Sequence, residues 1–242
     1  MNGATELLTA NGICKSFGGV DALKNVSLQV RMGEVLGIIG PNGSGKTSLV
    51  NVMSGHLRPD RGRVEFCGHD ITRLKPHRLA ALGLSRTYQA VRVFGQLTVE
   101  QCLDTASLMT ERSCASFSER REILEWLELD RLTQQPASSL TLFAQRRLEL
   151  AMRLMIEPKL LLLDEPVGGL SRHEVAQMTR VLEDLSSRCS VLIIEHTMHV
   201  IRALAKRVVA LIAGEIVADG PPAAILEDAR IIEEYLGGGT HA

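Results

Sequence analysis

The apolar positions of this chain fall into short continuous runs alternating with longer stretches of helical periodicity. Val35, Leu36, Ile38 and Ile39 form a run too short for a helix and without alternation, the pattern of a buried parallel strand. Leu49, Val50, Val52 and Met53 then give an apolar side to a helix ending near Ser54-Gly55. Leu160 to Leu163 are four consecutive leucines, which predicts a central strand covered on both faces, and Val191 to Ile194 repeats the pattern. Val208 to Ala213 predicts one more strand, turned at Gly214. Between these runs, Leu148, Ala151, Met152 and Met155 mark a helix face stopped by Pro158; Val175, Met178, Leu182 and Leu185 mark another. Pro221 to Leu236 reads as two short helices, with Gly237 to Ala242 as a frayed end.

The N-terminal part has a different texture. Leu7 to Ile13 opens a strand, and Val26 to Val30 alternates apolar and polar as a half-buried strand does. A turn carrying Phe17, Gly18 and Gly19 lies between them. Arg63 to Phe66 alternates again and is closed by Gly68. Residues 93–136 are helical and amphipathic. Thr98-x-x-Gln101 has the form of a capping box with Leu97 at the staple position, and Ser116-x-x-Glu119 is a second helix start. Ile123, Leu124 and Leu127 share a face beside Trp126; Pro136, Ser138 and Ser139 mark the exit. The expected architecture is an α/β chain: a parallel-sheet core built from residues 1–92 and 137–242, an N-terminal antiparallel β part, and a small helical subdomain inserted at 93–136. Ligands belong at the strand C-termini of such a sheet.

Composition narrows the functional classes. The formal net charge of −1 over 242 residues gives no basic surplus for nucleic acid. Five scattered cysteines without a C-x-x-C pair suit reduced thiols in a cytosolic protein. No apolar run approaches the roughly 18 residues of a membrane span, and Met1 to Glu6 lacks a signal-peptide profile.

The chemistry is densest at Gly40-Pro-Asn42-Gly43-Ser44-Gly45-Lys46-Thr47, which fits G-x-x-x-x-G-K-[ST] between a strand and a helix. Glycines let backbone N–H groups turn toward an anion, and the helix N-terminus adds partial positive charge. Lys46 then faces β- and γ-phosphates, and the Thr47 hydroxyl is a ligand for Mg²⁺. Asp164 and Glu165 stand at the end of a buried strand, where carboxylates are costly unless used. Asp164 is placed to hold Mg²⁺ through water and Glu165 to polarise the attacking water; His196, at the same position on a neighbouring strand, is placed for a γ-phosphate contact.

With these pieces in this order, the chain resembles an ABC transporter ATPase subunit over essentially its full length. The resemblance makes the parallel-sheet core one of the P-loop NTPase type, Phe17 the base-stacking aromatic, Gln89 the γ-phosphate-sensing and metal-facing glutamine, and Gly168-Gly169-Leu170 the loop following the Leu160–Glu165 segment. Gly83 to Gln89, Gln145-Arg-Arg-Leu-Glu149, Ile194-Glu-His-Thr-Met198 and Ile232 to Gly237 are similar to the branched-chain amino-acid importer branch. That branch implies ATP and Mg²⁺ as cofactors and a second ATPase subunit, identical or paralogous. It also implies integral-membrane permease subunits, an external solute-binding protein and a site at the cytoplasmic face of the membrane.

Two departures stand out. Aligned through Gln145-Arg-Arg-Leu-Glu149, the family's L-S-Y-G-Q signature corresponds to Leu140-Thr141-Leu142-Phe143-Ala144. Thr141 keeps a hydroxyl for a partner's nucleotide, whereas a phenylalanine in place of the close-approach glycine is expected to hold phosphate off and slow a homodimer. Ser171 replaces the Asp or Asn usual in the following loop. The rival readings are a soluble phosphate-loop kinase, which leaves Gln89 and His196 unexplained, and a nucleotide-binding subunit with weak or no hydrolysis that regulates a heterodimer.

Overall fold

The computed structural model describes residues 6–108 and 117–237; the helix start expected at Ser116 and the frayed end expected beyond Gly237 lie outside them. β1 (Glu6–Phe17) and β2 (Val20–Arg31) form one long antiparallel hairpin turned at Gly18-Gly19, paired from Phe17↔Val20 to Glu6↔Arg31. Both strands run well beyond the apolar segments that predict them. Each supplies the other with hydrogen-bond partners at polar positions, which periodicity alone cannot register.

The chain then passes through β3 (Val35–Ile39), α1 (Lys46–Met53), β4 (Arg61–Phe66) and the short β5 (His69–Asp70). Next come α2 (Pro76–Leu82), which begins on a proline and ends at Gly83 in the left-handed region, and β6 (Leu84–Arg86). The helical stretch holds α3 (Val99–Ser107) and α4 (Phe117–Trp126), and α5 (Leu142–Leu154) leads back to the core. It continues with β7 (Leu160–Asp164), α6 (Arg172–Leu185), β8 (Ser190–Ile194), α7 (Met198–Leu204) and β9 (Arg207–Ile212), and closes with β10 (Glu215–Gly220), α8 (Pro222–Leu226) and α9 (Ala229–Gly237).

Two sheets result. An antiparallel one has the order β2-β1-β4-β5; the other has the order β10-β9-β3-β8-β7-β6 and is parallel except for its edge strand β10. The run of leucines divides between two cores. Leu160 and Leu162 pack with Leu36, Ile38, α1 and the antiparallel sheet, whereas Leu161 and Leu163 pack with Ile193, α5 and α6. A strand covered on both faces has no polar side, which is why its sequence shows no alternation. β10 escapes the sequence reading because it is a half-exposed edge, with Glu215, Val217 and Asp219 outward.

Thr98 caps α3 as expected: its Oγ1 accepts from Gln101 N at 3.2 Å, and its own N–H donates to Gln101 Oε1 at 3.0 Å. The ends of the helical stretch meet. Ala137 N donates to Leu97 O at 2.8 Å, Val99 N to Gln135 O at 3.0 Å and Ser138 N to Gly95 O at 3.0 Å. Ile123, Leu124 and Leu127 all face inward, in one continuous core with Phe143 and Leu148 of α5. Cys14, Cys67, Cys102 and Cys189 are free thiols, as the sequence suggested; Cys114 lies outside the described residues.

Candidate nucleotide site

β3 ends at Ile39 and α1 begins at Lys46, so the glycine-rich stretch is a loop at the C-terminal edge of the parallel sheet. Neighbours crowd it from two sides. A Cβ on Gly40 would lie 2.1 Å from Leu211 O and 2.6 Å from Ser44 Oγ; on Gly45, at φ 103°, it would lie 2.4 Å from Ala22 O. Only glycine fits either position. Asn42 and Gly43 are exposed at the tip, as is Thr47 in the first turn of α1. Lys46 Nζ lies across its own loop, donating to Gly40 O at 2.6 Å and Pro41 O at 2.8 Å. Burial holds its ammonium below the usual lysine range, opposed by the nearby Glu165 and Asp164 carboxylates. The hairpin of β1 and β2 that backs Gly45 through Ala22 carries Phe17 at its turn, 49% exposed, with Lys15 Nζ 5.4 Å from the ring centre.

The acids arrive on β7. Asp164 pairs with Ile194 in the parallel register, and Glu165 N donates to Ile194 O at 2.9 Å. Glu165 holds φ at 49°, a left-handed conformation that costs a non-glycine residue energy and marks a constrained position. Its carboxylate accepts Gln89 Nε2 at 2.9 Å and lies 3.8 Å from His196 Nδ1. Gln89, Glu165 and His196 thus meet beside the lysine, as the sequence reading requires.

Asp164 has a partner that the reading missed. Arg86 Nη2 donates to it at 2.8 Å, with both side chains 6% exposed, while Nη1 reaches Asn51 Oδ1 at 2.5 Å and Ser54 Oγ at 3.1 Å. The arginine ties the end of α1 to the end of β7 and gives the buried Asp164 carboxylate a charged partner. Glu195 was also passed over. Fully buried, it accepts N–H groups of Val167 (3.1 Å), His196 (3.1 Å) and Thr197 (3.2 Å), which fixes the loops after β7 and β8. Its sequence signal was the second acid at a strand end, beside His196.

Among the described residues, no three His, Cys, Asp or Glu side chains gather as a metal cage. The oxygens of Thr47, Asp164 and the Gln89 amide are hard donors, of the kind Mg²⁺ takes together with phosphate and water.

Thr141 belongs to a different neighbourhood. It caps α5, its Oγ1 accepting from Ala144 N at 3.2 Å. The expectation that Phe143 would stand in the way of phosphate is corrected here. Phe143 is 7% exposed, packed in the shared core with the Arg147 guanidinium 4.3 Å from its ring centre; Leu142, 41% exposed, is the outward residue. Position two of a helix turns its side chain away from position one, and a string alignment does not carry that rotation. Phe143→Gly is therefore expected to lower unfolding free energy by about 3 kcal/mol or more, read by urea denaturation, through the cavity it leaves. A shift below about 1 kcal/mol would return Phe143 to the surface. Ser171 has a structural use: it caps α6 in a capping box with Glu174.

Further along α5, Glu149 is 2% exposed and accepts Arg92 N at 3.3 Å. Burial pushes its carboxyl from 4.5 up to about 7, against the pull of Arg153 and Arg146. A carboxyl raised on folding contributes stability that is complete below about 4.5 and is lost as pH rises through 7. Glu149→Gln should match the parent in thermal stability at pH 5 and exceed it at pH 8, by up to about 3 kcal/mol. An equal gap at both pH values would show that the carboxyl does not titrate in this range.

A glycine-rich phosphate loop, a strand-end carboxylate pair and a facing Gln–His couple define a nucleoside-triphosphate-binding ATPase. The ABC transporter family model matches residues 23–168. The high-affinity branched-chain amino acid transport ATP-binding protein BraF of Pseudomonas aeruginosa is 34% identical, covering 96% of this chain and 98% of its own length. The lipopolysaccharide export system ATP-binding protein LptB of Acidithiobacillus ferridurans is also 34% identical, with the same coverage. Among solved structures, the ADP conformation of the ATP-binding cassette MJ1267 superposes with a TM-score of 0.87 at 30% identity, over 96% of this chain and 99% of that one. The chain belongs to the ABC transporter family, as an ATP-binding, ATP-hydrolysing subunit.

Proposed function

We propose that this subunit powers uptake of branched-chain amino acids or a related small solute, hydrolysing ATP at the site built from Lys46, Asp164, Glu165, Gln89 and His196. The convergence of Gln89 and His196 on the Glu165 carboxylate carries the reading. Lys46 turns from its loop carbonyls to the β- and γ-phosphates, while Phe17 stacks on the base. Gly40, Asn42, Gly43, Ser44 and Gly45 cradle phosphate through main-chain N–H groups. Thr47, Asp164 and Gln89 would hold Mg²⁺, which supplies charge neutralisation at the phosphates. Glu165 takes the proton of the attacking water, and His196 and Gln89 report the presence of the γ-phosphate.

The site is completed by a second ATPase subunit whose helix equivalent to α5 presents its N-terminus to the nucleotide. With Phe143 turned inward, the N-terminus of α5 is not blocked by the ring, and the case for a subunit without hydrolysis loses its steric basis. A cavity of about 380 Å³ lined by His77, Tyr88, Arg92, Phe94, Met152 and Arg153 lies between α2 and the helical stretch, beside Gln89. It suits a short cytoplasmic segment of a permease subunit, fed by an external solute-binding protein. No helix among the described residues is long and apolar enough to cross a membrane. In this reading the subunit is held at the cytoplasmic face of the membrane by its permease partners.

The importer reading rests on relatives such as BraF; the similarity to LptB favours lipid export as the second reading. Deleting the gene and measuring uptake of radiolabelled leucine, isoleucine and valine separates the two. Uptake lost on deletion and restored by the wild-type chain, but not by its Glu165→Gln variant, is the expected result. Unchanged uptake with an altered outer-membrane lipid profile would favour export.

A further inference from the structure

One turn of α5 grips both catalytic loops from behind. Arg146, 8% exposed, donates through a single nitrogen, Nη2, to Gln89 O at 3.2 Å and to Gly168 O at 2.7 Å. Its Nε is buried without a hydrogen-bond partner. The cation is held by two main-chain carbonyls and by the longer-range field of Glu149, Glu195 and Glu165. A buried guanidinium so poorly paired is costly as a fold element, since an apolar side chain of similar length would serve packing as well.

Its two acceptors explain the placement. Gln89 O belongs to the residue whose side chain holds Glu165 Oε2. Gly168 closes a tight turn on Glu165, its N–H donating to Glu165 O at 3.0 Å, and a Cβ at Gly168 would meet Glu165 O at 3.3 Å and Arg146 Nη2 at 3.5 Å. One turn on, Glu149 accepts Arg92 N, gripping the same loop three residues beyond Gln89. The helix begins a little over one turn before Arg146, at its cap Thr141.

We propose that Arg146 is a positioning residue for hydrolysis. It locks the Gln89 loop and the turn from Glu165 to Leu170 to helix α5, so that the two side chains hold their working separation only while α5 is seated. A displacement at Thr141, the end that meets a second subunit, then reaches Gln89 and Glu165 without either one touching that subunit. This rests on Glu165 and Gln89 acting as described above.

The test compares Arg146→Met, Arg146→Lys and Glu165→Gln in the full chain. Affinity for trinitrophenyl-ATP is measured first, then steady-state ATPase against ATP concentration, per nucleotide-binding site. For Arg146→Met, affinity within twofold of the parent and kcat down at least tenfold are expected. Arg146→Lys, which keeps the charge and one of the two bonds, should recover part of the loss. If Arg146→Met does not fold, an Arg146→Lys variant with lowered kcat and unchanged KM carries the proposal. A kcat within twofold of the parent for every folded Arg146 variant overturns it, as does a loss confined to affinity. Glu165→Gln with full turnover would instead overturn the site reading beneath it, so the two failures are distinguishable.

Discussion

Lys46→Ala is expected to weaken ATP affinity at least a hundredfold while leaving the melting temperature within a few degrees of the parent. Among the described residues, the Lys46 ammonium donates only to oxygens of its own loop, Gly40 O, Pro41 O and, at 3.5 Å, Ser44 Oγ. Pro41 and Lys46 are half-buried, so water can reach part of the space the ammonium leaves, and the fold is relieved of a partly desolvated cation; it therefore loses little. The nucleotide loses the charge facing its β- and γ-phosphates, and two charge-assisted bonds of about 1.5–3 kcal/mol each exceed the roughly 2.7 kcal/mol in a hundredfold change. Fluorescent-nucleotide titration measures it. Parental affinity in Lys46→Ala would remove the phosphate-loop assignment.

Glu165→Gln should do the reverse, keeping nucleotide affinity and losing hydrolysis by at least a hundredfold, the range of a missing general base. The amide fills the same volume and can still meet Gln89 and His196, so geometry persists while the proton acceptor is gone. Its left-handed backbone adds a control. Because φ at this position strains any side chain, the variant inherits the parent's strain and the comparison isolates the carboxylate. Turnover within threefold of the parent would take Glu165 out of the mechanism.

What the sequence made legible follows from how local each signal is. The phosphate loop, the leucines of β7 and the capping box at Thr98 are contiguous strings whose meaning depends on neighbours a few residues away. Arg86 and Arg146 have no such signature: an arginine becomes a clamp only when Asp164, 78 residues on, or Gly168, across a turn, is folded against it. Phe143 shows the opposite failure. A string gives its position, but the direction of its side chain depends on α5 starting at Leu142 and packing on α3 and α4. β10 was invisible because it borrows its order from β9, offering an exposed, mixed face of its own.

The backbone bonds that join Leu97 to Ala137 and Gly95 to Ser138 have a consequence for how such a chain can diversify. The two ends of the helical stretch are held side by side, so what lies between is a closed excursion. Its length can change without shifting the register of any strand, because loop closure is already satisfied at its neck and added residues cost little entropy. The outer surface of that excursion can then be rewritten by insertion and deletion, while the ATP-hydrolysing edge, fixed by strands on the other side of that neck, keeps its geometry. One ATPase edge can in this way carry many different outer surfaces.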